Sequence, residues 1–306
     1  MTSGEKILAS LDIGTNSTLF LVAAVDAGKK IRPMQHDVCT NDLGRGLDPN
    51  GNLSSEIIDR NIRLLENFKR RARKAGALEV RAAATEALRK AGNAKILIDR
   101  ARAELGLDIR VVSGQEEAIL TYRGILSGLS ERGKPIIAVD VGGGSSEVIY
   151  GQGDDVHYST SLPVGAISLD KKHIHHDPPL GNELEEVRRE VDEILRQMPD
   201  SMAAKPCDLV ICGGTASSLA AADLGLSSVQ PEKIAGHVMT SGRLQRFIEQ
   251  FSHCTLEERR RIPGIGRRRA EIILPGAILI DGLLRALGRQ QYITSERGLR
   301  YGLLVE

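Results

Sequence analysis

Short apolar runs separated by polar and glycine-rich segments recur along the first half of the chain. The runs Ile7–Leu11, Thr18–Val25 and 31–35 predict three successive strands, because each is short, apolar and bounded by turn-forming residues. A longer amphipathic segment from Ser54 or Ser55 to about Ala75 predicts a helix. The remaining predicted elements of this half are strand 78–84, helix 93–106, strand 109–112 and helix 118–129.

The second half repeats this order of elements. Its predicted elements are strands 135–140, 147–151, 156–162 and 208–212, with helices at about 183–198 and after Thr215. Three strands followed by alternating helices and strands, twice over, predict two α/β domains built on one plan. We place the boundary between them near Gly128–Lys134.

A glycine turn between two apolar runs occurs at equivalent places in both halves. The stretch AVDVGGGSSEVIYG at Ala138–Gly151 has a counterpart in ILASLDIGTNSTLFLVA at Ile7–Ala23, 128 positions earlier. Glycine lets backbone amides approach an anion closely, so the repeat favours phosphate binding over a plain hairpin. The candidate phosphate-binding residues are Gly14, Thr15, Asn16, Ser17, Gly142, Gly143, Gly144 and Ser145, with Gly213, Gly214 and Thr215 of a third glycine turn.

Carboxylates accompany these turns. Asp140 ends the apolar run before the second turn, Glu147 follows the turn, and Asp12 is the equivalent of Asp140 in the first half. A phosphate cradle beside carboxylates needs a cation between them, and Mg²⁺ (or Mn²⁺) is the ion we expect. Asp140, Glu147 and Asp12 are therefore the candidate metal ligands.

Further charged residues are candidates with open alternatives. Glu116 and Glu117 begin a predicted helix, where they would either cap it or supply a general base that orients water. Whether Glu117 shares the base role with Glu116 is also left open. Arg89 would either bind phosphate oxygens through its planar fork or lie on a solvated helix face.

Composition narrows the classes of function. The 306 residues carry a net charge of +1, and only 3% are aromatic with no Trp, so neither electrostatics nor stacking favours nucleic acid as a partner. There is no apolar run of 18 residues and no signal peptide, so we expect a cytoplasmic protein that does not bind membranes. The four cysteines lack a CxxC pair, which fits reduced thiols.

The motifs in this order resemble the exopolyphosphatase / guanosine pentaphosphate phosphohydrolase family, within the actin, sugar-kinase and heat-shock ATPase superfamily. They are DIGTNS at Asp12–Ser17, AATEALRKAGN at Ala83–Asn93, SGQEEA at Ser113–Ala118, DVGGGSSE at Asp140–Glu147, LPVGAISL at Leu162–Leu169, GGTASSLAA at Gly213–Ala221, RAEIILPGA at Arg269–Ala277 and GLRYGLL at Gly298–Leu304. The resemblance implies that Glu116 is the catalytic carboxylate, that Asp140 and Glu147 hold Mg²⁺, and that Arg89 and Arg269 bind phosphate.

The resemblance also implies a fold and a reaction. The expected fold is α/β, with duplicated ribonuclease-H-like (actin-like ATPase) domains at 1–128 and 129–306 and an interdomain cleft. A last helix at about 296–306 is a candidate to pack back on the first domain. The expected enzyme is a short, two-domain exopolyphosphatase that releases terminal orthophosphate from inorganic polyphosphate by Mg²⁺-assisted attack of water. Guanosine pentaphosphate is the alternative substrate, a kinase of the same superfamily is a further alternative, and a homodimer is left open.

Overall fold

Contacts within the chain divide it into two units. Unit 1 comprises Met1–Leu129 together with Arg297–Glu306, and unit 2 comprises Ser130–Glu296. The computed structural model describes residues 5–306. Within that range, every helix is too short or too polar to cross a membrane.

The first nine elements all belong to unit 1. They are β1 (Lys6–Ile13), β2 (Ser17–Val25), β3 (Ile31–Thr40), α1 (Ser55–Lys74), β4 (Val80–Ala84), α2 (Glu86–Lys90), α3 (Ala94–Leu105), β5 (Ile109–Val111) and α4 (Gly114–Leu126). The predicted strands and helices of this half are confirmed, with β3 extending to Thr40 and α4 beginning at Gly114.

Unit 2 follows the same plan with additions. Its elements are β6 (Pro135–Val141), β7 (Ser146–Gln152), β8 (Asp155–Leu162), α5 (Ala166–His173), α6 (Gly181–Leu195), a 3₁₀ turn (Asp200–Met202), β9 (Asp208–Cys212), α7 (Gly214–Asp223), α8 (Pro231–Ile234), β10 (Val238–Thr240), α9 (Ser241–His253), α10 (Leu256–Arg261), α11 (Arg269–Ala286) and β11 (Gln291–Thr294). The last helix, α12 (Leu299–Val305), returns to unit 1.

The two sheets share one strand order. Unit 1 has the order β3-β2-β1-β4-β5, and unit 2 has β8-β7-β6-β9-β11 with β10 added at the edge. In both, the first three strands are antiparallel, and the next two in the sheet run parallel to the central one, whereas the added edge strand β10 is antiparallel to β11. The predicted duplication is thereby confirmed, and each sheet brings its glycine turn to the same end of its central strand.

Apolar side chains fill a separate core in each unit. In unit 1, Ile58, Ile62 and Leu65 of α1 are buried against the sheet, as their helical spacing predicts. Phe20 of β2 stacks on Phe68 of α1 with ring centroids 4.8 Å apart. Burial of each such side chain contributes about 1.5–3 kcal/mol to folding, so these contacts fix the strand ends that carry the turns.

Glu183 secures the start of α6 and gives a prediction about acid stability. Its carboxylate accepts hydrogen bonds from the backbone amides of His175 (2.9 Å) and Leu180 (2.9 Å) and contacts Nδ1 of His176 (2.8 Å). Burial raises the pKa of Glu183, but these hydrogen bonds outweigh burial and lower it to about 2. The ionised form therefore stabilises the fold above the pKa of an unfolded glutamate, and this contribution is lost as the pH falls toward 2.

We expect Glu183→Gln to lower the free energy of unfolding by about 1–3 kcal/mol at pH 7, because hydrogen bonds to a charged acceptor are lost. The difference from the wild type should shrink below about pH 4.3, where an unfolded glutamate becomes protonated. Urea unfolding at several pH values measures both effects. Glu185→Gln, at an exposed position of the same helix, is the control. A pH-independent difference would contradict the assignment.

Candidate active site

The first glycine turn, residues 14–17, presents backbone amides and withdraws its carbonyl groups. Three hydrogen bonds from the following loop hold its carbonyls, Asn41 Nδ2 to Gly14 O (2.8 Å), Gly44 N to Thr15 O (2.7 Å) and Asn41 N to Asn16 O (3.0 Å). Within residues 5–306, the amides of Thr15 and Asn16 donate to no protein acceptor. The carbonyl oxygens, which are the negative ends of the peptide dipoles, are engaged by the loop, and the amides of Thr15 and Asn16 remain available as donors. The turn therefore suits an anion.

The second turn, residues 142–145, has the same construction in unit 2. The Gly142 amide donates to the Ser145 carbonyl (3.1 Å), matching the bond from Gly14 to Ser17 (3.0 Å) in unit 1. The start of α5 holds the carbonyls back, through Ala166 N to Gly142 O (3.0 Å), Ile167 N to Gly143 O (2.8 Å) and Ser168 N to Gly143 O (3.1 Å). In the described chain, the amides of Gly143 and Gly144 find no protein acceptor.

Close backbone packing explains the glycines around the second turn. A Cβ atom on Gly165 would lie 2.5 Å from the carbonyl carbon of Gly143, so a side chain there would displace the turn. Gly213 of the third turn has φ +101°, and a Cβ there would lie 2.6 Å from Val141 O and 2.9 Å from Asp140 Oδ1. The second and third turns therefore meet at the end of β6.

Asp140 and Glu147 face each other across the β6–β7 pair. They are direct register partners, so their side chains lie on the same face of the sheet. Burial raises the pKa of Asp140 to about 6, and a hydrogen bond with Cys212 acts in the opposite direction. Glu147 is 1% exposed, and its Oε1 accepts hydrogen bonds from the hydroxyls of Ser145 (2.9 Å) and Ser161 (2.7 Å).

This carboxylate pair fits a hydrated divalent cation. Among residues 5–306, no three His, Cys, Asp or Glu side chains lie close enough together to form a complete protein cage for a metal. Mg²⁺ does not need one, since one or two carboxylates with water and substrate phosphate satisfy it. A cation beside Asp140 would also offset the burial that disfavours its charged form.

The equivalent place in unit 1 differs. Asp12 corresponds to Asp140, but its register partner on β2 is Leu19 rather than an acid. Asp12 thus lacks the opposing carboxylate that makes the unit 2 pair a cation site. Its role as a metal ligand stays a prediction.

Arg269 reaches the third turn without a protein counter-charge. A Cβ on Gly214 would lie 2.0 Å from Arg269 Nη2, so the guanidinium covers the backbone at the start of α7. Within the described residues, the Arg269 side chain makes neither a hydrogen bond nor an ion pair. Burial alone lowers its pKa to about 10. A partly buried guanidinium without a protein counter-charge, beside a glycine turn, is suited to a phosphate group.

Thr215, also predicted at this turn, has a side chain that faces elsewhere. It is fully buried, and a Cβ on Gly276 of α11 would lie 2.5 Å from its hydroxyl. That hydroxyl has no hydrogen-bond partner within residues 5–306. Any contribution of Thr215 to phosphate binding therefore comes from its backbone.

The two acids at the start of α4, Glu116 and Glu117, have different surroundings and different hydrogen-bond partners. Glu116 is exposed and completes a capping box, in which its Oε2 accepts from the Ser113 amide (2.8 Å) and Ser113 Oγ accepts from the Glu116 amide (3.2 Å). The hydrogen bonds from Ser113 lower the pKa of Glu116. Glu117 is 8% exposed and accepts a hydrogen bond from Arg89 Nη1 at 2.6 Å.

Arg89 is held in place at one end of its guanidinium. Nη1 donates to Glu117 and to the backbone carbonyl of Val112 (2.8 Å), which fixes the plane of the group. The side chain remains 24% exposed, so the rest of the fork is accessible to an anion. Sequence reasoning identified Arg89 and both acids but not the pairing that holds the arginine.

Comparison with known proteins identifies the family. The sequence pattern of the Ppx/GppA phosphatase family matches residues 21–306. The chain belongs to this family. The predicted family resemblance is thereby confirmed, and the phosphatase class argues against the kinase alternative.

Curated relatives and solved structures cover almost the whole chain. Exopolyphosphatase 2 of Mycobacterium tuberculosis is 30% identical over 97% of both chains, and exopolyphosphatase 1 of Mycobacterium bovis is 28% identical over 97% of this chain and 87% of the relative. The crystal structure of the Aquifex aeolicus family member has a TM-score of 0.86 and 29% identity, covering 98% of this chain and 97% of that one. The predicted two-domain, actin-like fold is confirmed.

Some residues of the site were not predicted. Asn41 and Gly44 lie in a polar, glycine-rich loop, and Gly165 lies in the LPVGAISL motif. Glycine and asparagine beside a phosphate turn are a usable signal, since backbone contact requires them. Ser161, which bonds Glu147, carries no such signal because a serine in a strand is ordinary.

Proposed function

We propose that this chain is an exopolyphosphatase, which releases orthophosphate from the end of inorganic polyphosphate. The observation that carries the proposal is the unpaired guanidinium of Arg269 over a glycine turn, beside the acid pair Asp140 and Glu147. Such a combination binds a phosphate and a cation together. The naming of the mycobacterial relatives as exopolyphosphatases supports the same substrate.

The chain's own groups bind and orient the phosphates. In unit 1 the amides of turn 14–17 and the guanidinium of Arg89 are the proposed donors to phosphate oxygens, and in unit 2 the amides of turn 142–145 and the guanidinium of Arg269 are. Because each turn is held from behind by hydrogen bonds, its donors need little reorganisation when charge develops on the phosphoryl oxygens. Phosphoryl transfer depends mainly on such positioning and electrostatics.

Glu116 is the residue we assign to the attacking water. Its lowered pKa keeps it ionised at neutral pH, so it accepts a hydrogen bond from water and directs a lone pair at the terminal phosphorus. Ser113 fixes one of its oxygens in the capping box. Glu117 has a different role, since it orients Arg89.

Asp140 and Glu147 would hold the divalent cation, which we propose is Mg²⁺ or Mn²⁺. When bound, such an ion neutralises phosphate charge and stabilises the charge that develops on the leaving oxygen. The hydroxyls of Ser145 and Ser161 keep Glu147 oriented toward this place.

We expect Asp140→Asn to raise the Mg²⁺ concentration needed for half-maximal activity by about 10-fold or more, because a carboxylate ligand is lost. Metal titrations of phosphate release measure this. Asp12→Asn is the matched variant from the other unit, and it should have a smaller effect because Leu19 stands where the second acid would be. An unchanged titration for Asp140→Asn would remove Asp140 from the metal site.

The substrate is tested by phosphate release from long-chain polyphosphate and from guanosine pentaphosphate in parallel. The proposal expects a higher kcat/KM on polyphosphate. Guanosine pentaphosphate remains the second candidate because the sequence motifs resemble a family that includes guanosine pentaphosphate phosphohydrolases. Faster phosphate release from guanosine pentaphosphate than from polyphosphate would contradict the proposed substrate. Release that requires a phosphate acceptor would contradict the assignment as a hydrolase.

The proposal also covers the cellular compartment and the oligomeric state. Within the described residues, no disulfide joins Cys39, Cys207, Cys212 or Cys254, which suits a reducing cytoplasm. A homodimer stays a prediction, and light scattering at assay concentration checks it.

A further inference from the structure

Glu86 is a buried acid that connects the first glycine turn to a lysine. It lies at the start of α2 and is 7% exposed. One carboxylate oxygen accepts from the hydroxyl of Thr15 (3.4 Å), and the other contacts Lys90 Nζ at 2.5 Å. The ammonium of Lys90 is therefore held one carboxylate group away from the turn that offers its amides to an anion.

The second turn shows why this connection is unusual. There too an acid accepts a hydrogen bond from a hydroxyl of the turn, since Ser145 donates to Glu147 at 2.9 Å. That acid faces Asp140, and the pair suits a cation. In unit 1 the corresponding strand position is Leu19, and the acid comes instead from α2 and holds an ammonium. The two turns thus have different sources of positive charge.

We infer that Lys90 is a phosphate-binding residue and that Glu86 positions it for the phosphate bound at turn 14–17. The inference rests on the proposed function and names a further part of the polyphosphate site. Lys90 and Arg89 supply the positive charge at the first turn, where the second turn uses a metal ion. Arg89 is fixed by Glu117, and Lys90 by Glu86, so each cation has its own positioning acid.

Exposure and charge agree with this role. The Lys90 side chain is 64% exposed, so its ammonium keeps donors free while Glu86 occupies one of them. Glu86 alone would repel a phosphate near Thr15. The ammonium of Lys90 offsets that repulsion, because it pairs with the carboxylate that contacts the Thr15 hydroxyl.

The alternative is that Lys90 and Glu86 form an ordinary helix pair at spacing i, i+4, worth a few tenths of a kcal/mol. The chain provides a matched control. Lys95 and Asp99 on α3 also form an i, i+4 pair at 2.5 Å, with the lysine first and both side chains exposed (83% for Lys95). Lys90→Met and Lys95→Met each remove one lysine charge from an i, i+4 pair, and only the acid partner of Lys90 also contacts the turn.

The experiment measures kcat and KM for phosphate release from polyphosphate at several NaCl concentrations. Lys90→Met should raise KM about 5- to 20-fold with kcat within about 2-fold, because a charge-assisted contact to bound substrate is lost. The dependence of kcat/KM on salt should become shallower, and Lys90→Arg should restore both values. Lys95→Met should match the wild type.

A double-mutant cycle tests the positioning role of Glu86. Glu86→Gln should raise KM in the wild-type background and change it less than about 2-fold in the Lys90→Met background, since the acid acts through the lysine. Equal KM values and salt slopes for Lys90→Met and Lys95→Met would overturn the inference, as would a fall in kcat at constant KM. A wild type that releases no phosphate from polyphosphate would instead overturn the proposed function.

Discussion

Glu116→Gln is expected to lower kcat for phosphate release about 100-fold or more and to change KM little. The reason is that an ionised carboxylate aligns the attacking water, and a neutral amide does so poorly. The fold should survive, because glutamine serves as well as glutamate at the third position of a capping box. Ser113 therefore keeps its hydrogen-bonded partner in the variant.

A second capping box supplies the control. At the start of α10, Glu258 accepts from the Thr255 amide (2.8 Å), and its pKa is lowered by the hydrogen bonds from Thr255. Glu258→Gln makes the same chemical change at the same helix position, far along the chain from Glu116. It should leave kcat unchanged, so a loss confined to Glu116→Gln reports on the reaction rather than on helix capping.

Glu117→Gln distinguishes the two neighbouring acids. It weakens the charge pair that orients Arg89, so we expect KM to rise more than kcat falls. If Glu117→Gln abolished turnover while Glu116→Gln remained active, the two roles would be reversed. Steady-state kinetics of both variants therefore decide which acid directs the water.

Repetition made the glycine turns predictable. A single glycine-rich turn is ambiguous, but Asp12 and Asp140 stand at matching places 128 positions apart, and the sheets repeat the same strand order around them. The apolar alternation also predicted the central strands. Repetition could not reveal that the two turns differ in their acids. Leu19 pairs with Asp12 in unit 1, whereas Glu147 pairs with Asp140 in unit 2.

Pairing across the tertiary fold could not be predicted. Local sequence left Glu116 and Glu117 equivalent, since both favour a helix start. Only the packing of α2 beside α4 brings Arg89 to Glu117, 28 residues away. The partly buried contact of Thr15 with Glu86 joins residues that are likewise far apart, 71 positions along the chain. Such contacts depend on the register of the sheet and not on any local pattern.

Helix α11 shows where local propensity fails. It runs from Arg269 to Ala286 although Pro275 and Gly276 lie inside it, and both residues disfavour helix interiors. Nearly all of its apolar side chains are buried in the unit 2 core, and that burial outweighs the local cost. The sequence analysis assigned no helix there, yet this helix carries Arg269 to the third turn.

Arg269→Met is expected to have opposite effects on activity and stability. The guanidinium is partly buried and has no counter-charge within the described residues, and burial lowers its pKa to about 10, so its charge costs folding free energy. Replacing it by an apolar side chain of similar length should raise Tm by about 2–4 °C for each kcal/mol gained. The same change should lower kcat/KM about 100-fold or more, because a buried charge partner of the substrate is removed.

Thermal stabilisation by a bound ligand distinguishes a phosphate-binding role of Arg269 from a purely structural role. Tripolyphosphate should raise Tm of the wild type, since it supplies the missing counter-charge, and should raise that of Arg269→Met much less. Arg246→Met, at an exposed position of α9, should behave as the wild type in all three measurements. A variant at Arg269 with lower Tm and full response to tripolyphosphate would mean that the guanidinium supports the fold. Higher Tm with lost response would mean that the protein keeps an unsatisfied cation at this turn because the substrate completes it.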